Sequence, residues 1–457
     1  LANIDNIINN ATGITSDSRL AEQGNIFVAI KGAQFDGTKF IPQAIDAGAI
    51  AVLAEADIDC SIPVIVSNNI RKEYAKIAAK IYQPKPKILA AVTGTNGKTS
   101  VAHFYRQICS FNGIKTASIG TLGVVTDETS IELNNTSPDA GLTHKYLAEL
   151  KQQDYDNVII EASSIGIEQH RLDALPFNVA GFTSFTQDHL DYHNDMDTYF
   201  ACKQRLFTEL LQGKAIINAD IPEFSKFSNP LGYGKNGEYL KIQAIHNRNS
   251  GQEIELIIDN TQHNLFTKLL GEFQVYNLAC AIGMAMQIGI TAEDAIRVAR
   301  HVTNVPGRLE YVTTHNNASI YVDYAHTPDA LENALKTMRP YVASKLAVLF
   351  GCGGDRDTGK RPQMGKIAND LADIVIVTDD NPRNEDASQI RAEILKTCPN
   401  GVDIADRKEA IKHGIKLLSP GDILLLAGKG HEHYQIIGDE VIEFDDRSVV
   451  KEVISKL

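Results

Sequence analysis

The run Gly94-Thr95-Asn96-Gly97-Lys98-Thr99 limits what this chain can fold into more than any other feature. It follows an apolar segment, Ile88 to Val92. It leads into a stretch where Val101, Phe104, Tyr105, Ile108 and Cys109 share a helical face, with Gly113 placed to end the helix. The pattern predicts a strand, a tight turn and a helix. Two glycines let the turn curl with its N–H groups pointing inward, Lys98 can reach a phosphate, and the Thr99 hydroxyl can bind Mg²⁺. The full Walker spacing would need glycine at position 92, where this chain has Val92. The strand–turn–helix context favours a nucleotide phosphate site over a glycine turn that happens to contain Lys-Thr.

At 457 residues the chain exceeds one hydrophobic core, so several domains are expected. The net charge of −13, with no long basic block, argues against a nucleic-acid footprint but not against a local basic pocket for anionic substrates. Six cysteines are dispersed with no Cys-x-x-Cys pair, which argues against a zinc ribbon or a disulfide scaffold. There is no long apolar stretch and no signal peptide, so the expectation is a cytoplasmic protein without membrane insertion.

Three textures follow one another. In residues 1–83, Ile26 to Ile30, Ile50 to Leu53 and Pro63 to Val66 read as strands and Tyr74 to Tyr82 as a helix. Pro84-Lys85-Pro86 resists helix continuation and marks a boundary. Residues 84–306 hold the glycine loop and the strand Asn157 to Glu161, with a polar, strand-rich insertion from about 234 to 268. Residues 307–457 begin after Pro306 and contain strands at Ser319 to Val322, Lys345 to Phe350, Ile374 to Val377 and Ile423 to Ala427, separated by helices such as 386–396 and 407–417. The fold class is α/β with mostly parallel sheets, which places functional loops beyond the carboxyl ends of strands.

Several residues there carry chemistry. Glu161 ends an apolar strand and can hold Mg²⁺ beside phosphates, or can simply face water. Ser163 and Ser164 can bind substrate oxygens or cap a helix. Asp188-His189-Leu190-Asp191-Tyr192-His193 is dense in metal-competent groups, and from the residues alone His189 and His193 are equivalent. Lys203 lies between Phe200 and Phe207 on a helix, where the residues alone favour a lysine that snorkels to solvent. Asn277 can read an adenine edge, Arg308 can meet a nucleotide, and Asp323 can receive ribose hydroxyls. Beyond the later strands lie Gly351 to Arg356, Asp379 to Arg383 and Gly428-Lys429-Gly430-His431-Glu432, three polar motifs that suggest one shared binding face.

Taken together, Gly94 to Thr99, Glu161, Asp188 to His193, Lys203, Asn277, Arg308 and Asp323 to His326 resemble the Mur ligase family, over the whole chain from Thr15-Ser16-Asp17-Ser18-Arg19 to Glu432. The resemblance implies a small N-terminal domain for the UDP end, a central P-loop-type ATPase domain and a C-terminal Rossmann-like domain that brings the amino acid. It implies ATP and Mg²⁺ as cofactors. Gly94, Thr95, Asn96, Gly97, Lys98 and Thr99, with Asn277, Arg308, Asp323 and His326, would bind the nucleotide. Thr99, Glu161, His189 and Lys203 would hold metal, with Lys203 as its carbamate (N6-carboxylysine). Lys98, Glu161, His189 and Lys203 form the catalytic set. Ser18, Gln34, Thr136, Ser137, Ser163, Gln169 and Arg171 would bind a UDP-N-acetylmuramoyl-dipeptide.

The amino acid implied is meso-diaminopimelate, held by Arg356, Asp380, Asn381, Arg383, Gly428 and Glu432. In the family, arginine at the end of Asp380-Asn381-Pro382-Arg383 accompanies this substrate. Its distal carboxylate suits a bidentate arginine, whereas L-lysine presents only an ammonium there. A monomer acting on small molecules is expected. The rival readings are an L-lysine-adding ligase, a folylpolyglutamate synthase-like ligase and a non-enzymatic P-loop module. The chain departs from the family pattern at Ala33 and Ile165, where histidine is common.

Overall fold

The computed structural model describes residues 4–32, 36–186, 190–248, 251–356 and 358–456, with only the backbone of Leu190 and Asp191. The chain forms two compact units. One contains Leu1–Ile242, Ile257–Thr261 and Tyr276–Val298; the other contains Gln243–Leu256, Gln262–Val275 and Ala299–Leu457.

The first unit carries two sheets. The smaller consists of β1 (Gly13–Thr15), β2 (Asn25–Val28), β3 (Ala51–Ala54) and β4 (Val64–Val66), paired in that order and all parallel. Its strands are too short to bury much alone. The helix Ile70–Ile81 covers one face, packing Tyr74, Ile77 and Ala78 against Ile26, Val28 and Leu53. The sequence boundary at 83/84 falls after this helix.

The larger sheet is built around β5 (Ile88–Thr93), an apolar run almost wholly buried, as a strand covered on both faces must be. β5 lies between β9 (Asn157–Glu161) and β10 (Phe177–Phe182), parallel to both. β6 (Thr116–Gly120) flanks β9, with β7 (Gly123–Val125) and β8 (Ser130–Ile131) continuing antiparallel beyond it. On the other side β11 (Leu211–Asn218) and β12 (Leu231–Gly234) extend the sheet in parallel to the start of β13 (Leu240–Arg248). Leu89, Ala91, Ile160, Phe177 and Leu206 form the core on one face. The expected 234–268 insertion is present as β13 with β14 (Gly251–Ile258) and β15 (Thr261–Thr267).

The second unit holds a six-stranded sheet in the order β16 (Glu310–His315), β17 (Ala318–Asp323), β21 (Ile423–Ala427), β18 (Leu346–Phe350), β19 (Ile374–Val377) and β20 (Val402–Asp403), with only β16 antiparallel. Strand periodicity sorts its residues. Leu346, Val348 and Phe350 enter one core, while Ala347 and Leu349 enter the opposite one. A hairpin, β22 (Tyr434–Ile437) and β23 (Glu440–Glu443), follows β21. The boundary expected at 306/307 falls inside this unit, before β16. Among the described residues no helix is long and apolar enough to cross a membrane.

Candidate active site

Thr93 ends β5, and the chain turns at once through Gly94 into the helix Lys98–Phe111. The turn depends on both glycines. Gly94 has φ +145°, and a Cβ there would stand 2.0 Å from Thr183 Oγ1. Gly97 has φ +89°, and a Cβ would stand 2.3 Å from Asn277 Oδ1, so Asn277 abuts the loop itself. Asn277 is buried, on the helix Glu272–Met286.

Two lysines converge on this turn. Lys98 Nζ donates to the carbonyls of Gly94 (2.9 Å) and Thr95 (2.8 Å), and Lys203 Nζ donates to the same Gly94 carbonyl at 2.9 Å. Lys203 does not snorkel. It is 1 % exposed, its amine turned inward over the Tyr199 ring. The helix Met196–Arg205 that carries it is started by Asp195, whose carboxylate accepts the Thr198 N–H.

Glu161, at the end of β9, does not face water either, being 2 % exposed. It accepts the Thr99 hydroxyl at 2.8 Å, the Thr121 N–H at 2.9 Å and the Thr121 hydroxyl at 3.2 Å. Burial pushes its carboxyl up, against the lowering effect of those donors and of Lys98. These hydrogen-bond donors are all neutral, and the donor set of a carboxylate with threonine hydroxyls is hard oxygen, which suits Mg²⁺. Among the described residues no three His, Cys, Asp or Glu side chains gather to hold a metal. His189 and Asp188 lie outside the described residues. His193, its equal in the sequence, is buried with Nε2 2.9 Å from Ser164 Oγ.

A cavity of about 260 Å³ is lined by the loop from Thr95 to Thr99 and by Thr121, Thr136, Ser163, Ser164 and Lys203. Thr136 Oγ1 lies 3.0 Å from Thr121 Oγ1. Ser137 donates to the Glu161 carbonyl at 2.8 Å and pairs with Ser163 at 3.0 Å. Ser163 also caps a helix by accepting the Gly166 N–H, the second of the two roles open in the sequence. Arg171 donates to the Ser137 carbonyl at 2.7 Å and to Gln169 Oε1 at 2.8 Å, and Arg71 reaches the same Gln169 oxygen at 3.4 Å. A larger cleft, about 1070 Å³, is lined by Thr15 to Leu20, Gln43, Asp139 and Arg171. Ser18 lies in it and donates to Gln43 Oε1 at 2.9 Å. Gln34 and Ala33 lie outside the described residues, and Ile165 lies on the helix Ser164–Glu168.

The second unit holds the remaining predicted residues. Asp323, buried at the end of β17, accepts the N–H groups of Leu309 (2.6 Å) and Ala325 (2.7 Å), and burial pushes its carboxyl up. Arg308 is exposed and stacks over Tyr324 at 4.9 Å, and His326 Nδ1 lies 2.8 Å from the Tyr324 carbonyl oxygen. Beyond β18, β19 and β21 the three polar motifs do meet. Arg383 Nη1 donates to the Gly354 carbonyl at 2.8 Å, and Asn381 Nδ2 donates to Glu432 at 3.1 Å. A Cβ on Gly428 would stand 2.6 Å from Asp380 Oδ2. Arg383 adopts φ +51°, left-handed backbone that few side-chain-bearing residues accept. Arg356 is exposed on the neighbouring loop.

Three family models match the chain: the Mur ligase family catalytic domain over residues 10–91, the Mur ligase middle domain over 92–285, and the Mur ligase glutamate ligase domain over 307–430. This chain belongs to the Mur ligase family. Two relatives of the same description, UDP-N-acetylmuramoyl-L-alanyl-D-glutamate--2,6-diaminopimelate ligase, come from Agrobacterium fabrum and Zymomonas mobilis. The first is 42% identical, covering 97% of this chain and 93% of the relative. The second is 43% identical, covering 97% and 94%. A solved structure of a ligase with that description matches with a TM-score of 0.80 and 33% identity, covering 98% of this chain and 95% of the other. The three-domain α/β architecture is that of the Mur ligases.

Sequence reasoning missed Thr121, which holds Glu161, and Arg71, which shares Gln169 with Arg171; Lys429 it named only as part of the Gly428 to Glu432 motif, without a role. Lys429 alone had a signal, a lysine between two glycines directly after an apolar strand.

Proposed function

We propose that this chain is an ATP-dependent carboxylate–amine ligase that adds meso-2,6-diaminopimelate to UDP-N-acetylmuramoyl-L-alanyl-D-glutamate, giving the UDP-tripeptide, ADP and phosphate for peptidoglycan synthesis. One observation carries the reading. The lysine of the phosphate loop and the serine and threonine side chains suited to a peptide acceptor line a single cavity. The named relatives, at 42–43% identity over nearly the whole chain, support the same activity.

In this reading the N–H groups from Gly94 to Thr99 cradle the triphosphate, Asn277 meets the adenine, and Lys98 neutralises charge on the phosphoryl group in transfer. Arg308, Asp323 and His326 serve the nucleotide from the C-terminal domain. Thr99 and Glu161, with His189 and the Lys203 carbamate, would hold Mg²⁺, which when bound supplies positive charge against the phosphates. A carbamate also relieves a crowding of like charge. Lys98 and Lys203 donate to one oxygen, so their nitrogens are at most about 6 Å apart.

Ser18 and Gln34 serve the UDP end. Thr136, Ser137, Ser163, Gln169 and Arg171 orient the dipeptide so that a carboxylate of its terminal glutamate takes the γ-phosphoryl group. The amine of diaminopimelate then attacks the acyl phosphate and phosphate leaves. No protein nucleophile is needed, because positioning and charge neutralisation lower the barrier. Asp380, Asn381, Gly428 and Glu432 hold the amino acid, and Arg383 and Arg356 its distal carboxylate. The three domains are read as 1–83, 84–306 and 307–457. The chain is read as a cytoplasmic monomer that neither inserts into membrane nor binds nucleic acid, which its small nucleotide-linked substrates support.

The test mixes the protein, ATP, Mg²⁺ and the UDP-dipeptide with meso-diaminopimelate, L-lysine or L-ornithine, reading phosphate release and product mass. Diaminopimelate is expected to dominate. Equal or faster turnover of L-lysine overturns the amino-acid assignment.

A further inference from the structure

Lys429 follows β21 between Gly428 and Gly430 and is fully buried. A buried ammonium normally gives its protons to a carboxylate. Here two protons go instead to neutral oxygens, Asn381 Oδ1 at 3.0 Å and the Tyr434 carbonyl at 2.8 Å. The carboxylates of Asp380 and Glu432 stand beyond hydrogen-bond reach, at 4.0 and 3.9 Å. Asn381 Oδ1 also accepts the Ile436 N–H at 3.0 Å, which turns the amide nitrogen toward Glu432. The Asn381 orientation therefore follows from Lys429 and the Ile436 N–H together.

The cation next to this cluster is already committed. Arg407, fully buried, is bidentate on Asp446 at 2.8 and 2.6 Å and also donates to the Ala427 carbonyl. Burial, and to a lesser extent the Arg407 charge, work against the Lys429 charge, and Asp380, Glu432 and Asp446 partly restore it. The pocket thus has two carboxylates, one ammonium of its own between them, and the Arg383 guanidinium on a neighbouring loop.

We propose that Lys429 is a specificity-determining positioning residue, a fixed internal cation between Asp380 and Glu432 that favours a diamino dicarboxylic acid over a diamino monocarboxylic one. The inference rests on the amino-acid site proposed above. Diaminopimelate brings an ammonium and a carboxylate together at its distal end and adds no net charge there. L-Lysine brings only an ammonium, to carboxylates that already face one and beside an arginine it cannot answer.

The experiment uses the full chain and compares kcat/KM for L-lysine and meso-diaminopimelate in the wild type, Lys429→Met and Lys429→Arg. The Met variant is expected to lose rate on diaminopimelate while the lysine-to-diaminopimelate ratio rises about tenfold or more. The Arg variant, which keeps the charge, is expected to keep the wild-type ratio. A purely structural lysine would lower both rates together in the Met variant, and that unchanged ratio overturns the proposal. A second measurement needs no variant. L-Norleucine has the length of lysine without the distal ammonium, and both are assayed as competitors of diaminopimelate on the wild type. Norleucine is expected to compete at least as well; lysine binding about tenfold more tightly overturns the proposal. Failure of the wild type to use diaminopimelate refutes the underlying site reading, whereas normal use of it with an unchanged ratio refutes only the role of Lys429.

Discussion

The phosphate loop and the proposed amino-acid cluster set their cations in different charge surroundings. At the loop, Lys98 and Lys203 rest on one backbone carbonyl, that of Gly94. At the cluster, Lys429 is set between Asp380 and Glu432, and Arg407 is locked onto Asp446. A ligand with the same phosphates every time can be met by backbone N–H groups and flanking lysines. A ligand that must be told from near relatives calls for opposing side-chain charges already in place.

The sharpest way to break this comparison is to remove a loop cation. Lys98→Ala is expected to lower kcat by about 10³-fold with the fold intact, measured by phosphate release and circular dichroism. Lys203→Ala should fall similarly, with partial recovery in formate or acetate, since either supplies a carboxylate. A loss of folding in both variants would mean the loop lysines are structural, erasing the contrast.

Next in size is Arg407→Met, which leaves Asp446 buried without its partner. It should destabilise the second unit by about 3–5 kcal/mol, read from urea unfolding. An exposed pair would lose under about 1 kcal/mol. Arg383→Ala sharpens the selectivity side. Losing an arginine–carboxylate contact costs about 2–5 kcal/mol, so kcat/KM for diaminopimelate should fall roughly 30- to several-thousandfold with little gain on lysine.

The smallest effect is an acid sensitivity carried by one histidine of the first unit. His144, buried in the first unit with Nε2 3.2 Å from the Asp173 carbonyl oxygen, is pushed down to about 3 by burial and then by the Lys85 charge. Its folded value lies below the unfolded one near 6.5. The histidine therefore adds no pH dependence above about 6.5, and stability is lost as pH falls, because the unfolded chain takes the proton first. The slope is about 1.4 kcal/mol per pH unit, about 2 kcal/mol by pH 5. Hydrogen exchange in the helix Ala140–Gln152 at pH 7.5 and pH 5 should show this loss in the wild type and not in His144→Gln.

The central strands were legible because a strand buried on both faces reads as an unbroken apolar run, as Ile88 to Val92 and Ile423 to Ala427 do. The polar motifs after them were legible because a parallel sheet gathers its loops beyond the carboxyl ends of its strands. What stayed hidden depends on packing. Local sequence allows Lys203 to reach solvent, and only the approach of Tyr199 and Gly94 turns it inward. Thr121 is an ordinary threonine until Glu161 arrives from a strand 40 residues away. Asp323 reads as a strand-end acid that can receive ribose hydroxyls, and that both its oxygens accept backbone N–H groups was not visible. Lys429 was visible as a residue, but its placing between two carboxylates was not.

The left-handed backbone at Arg383 bears on how this pocket can evolve. Holding φ +51° costs a side-chain-bearing residue about 1–2 kcal/mol, least for asparagine and aspartate and nothing for glycine. Sequence drift at this position is filtered by backbone shape before side-chain chemistry is tested. A lineage changing its amino acid would pass through Gly or Asn at 383 more readily than through Val, Ile or Thr. Arg383→Gly would delete the guanidinium and relax the turn at once, so under the proposed role of Arg383 the step that gives up the old substrate is also the one the backbone opposes least.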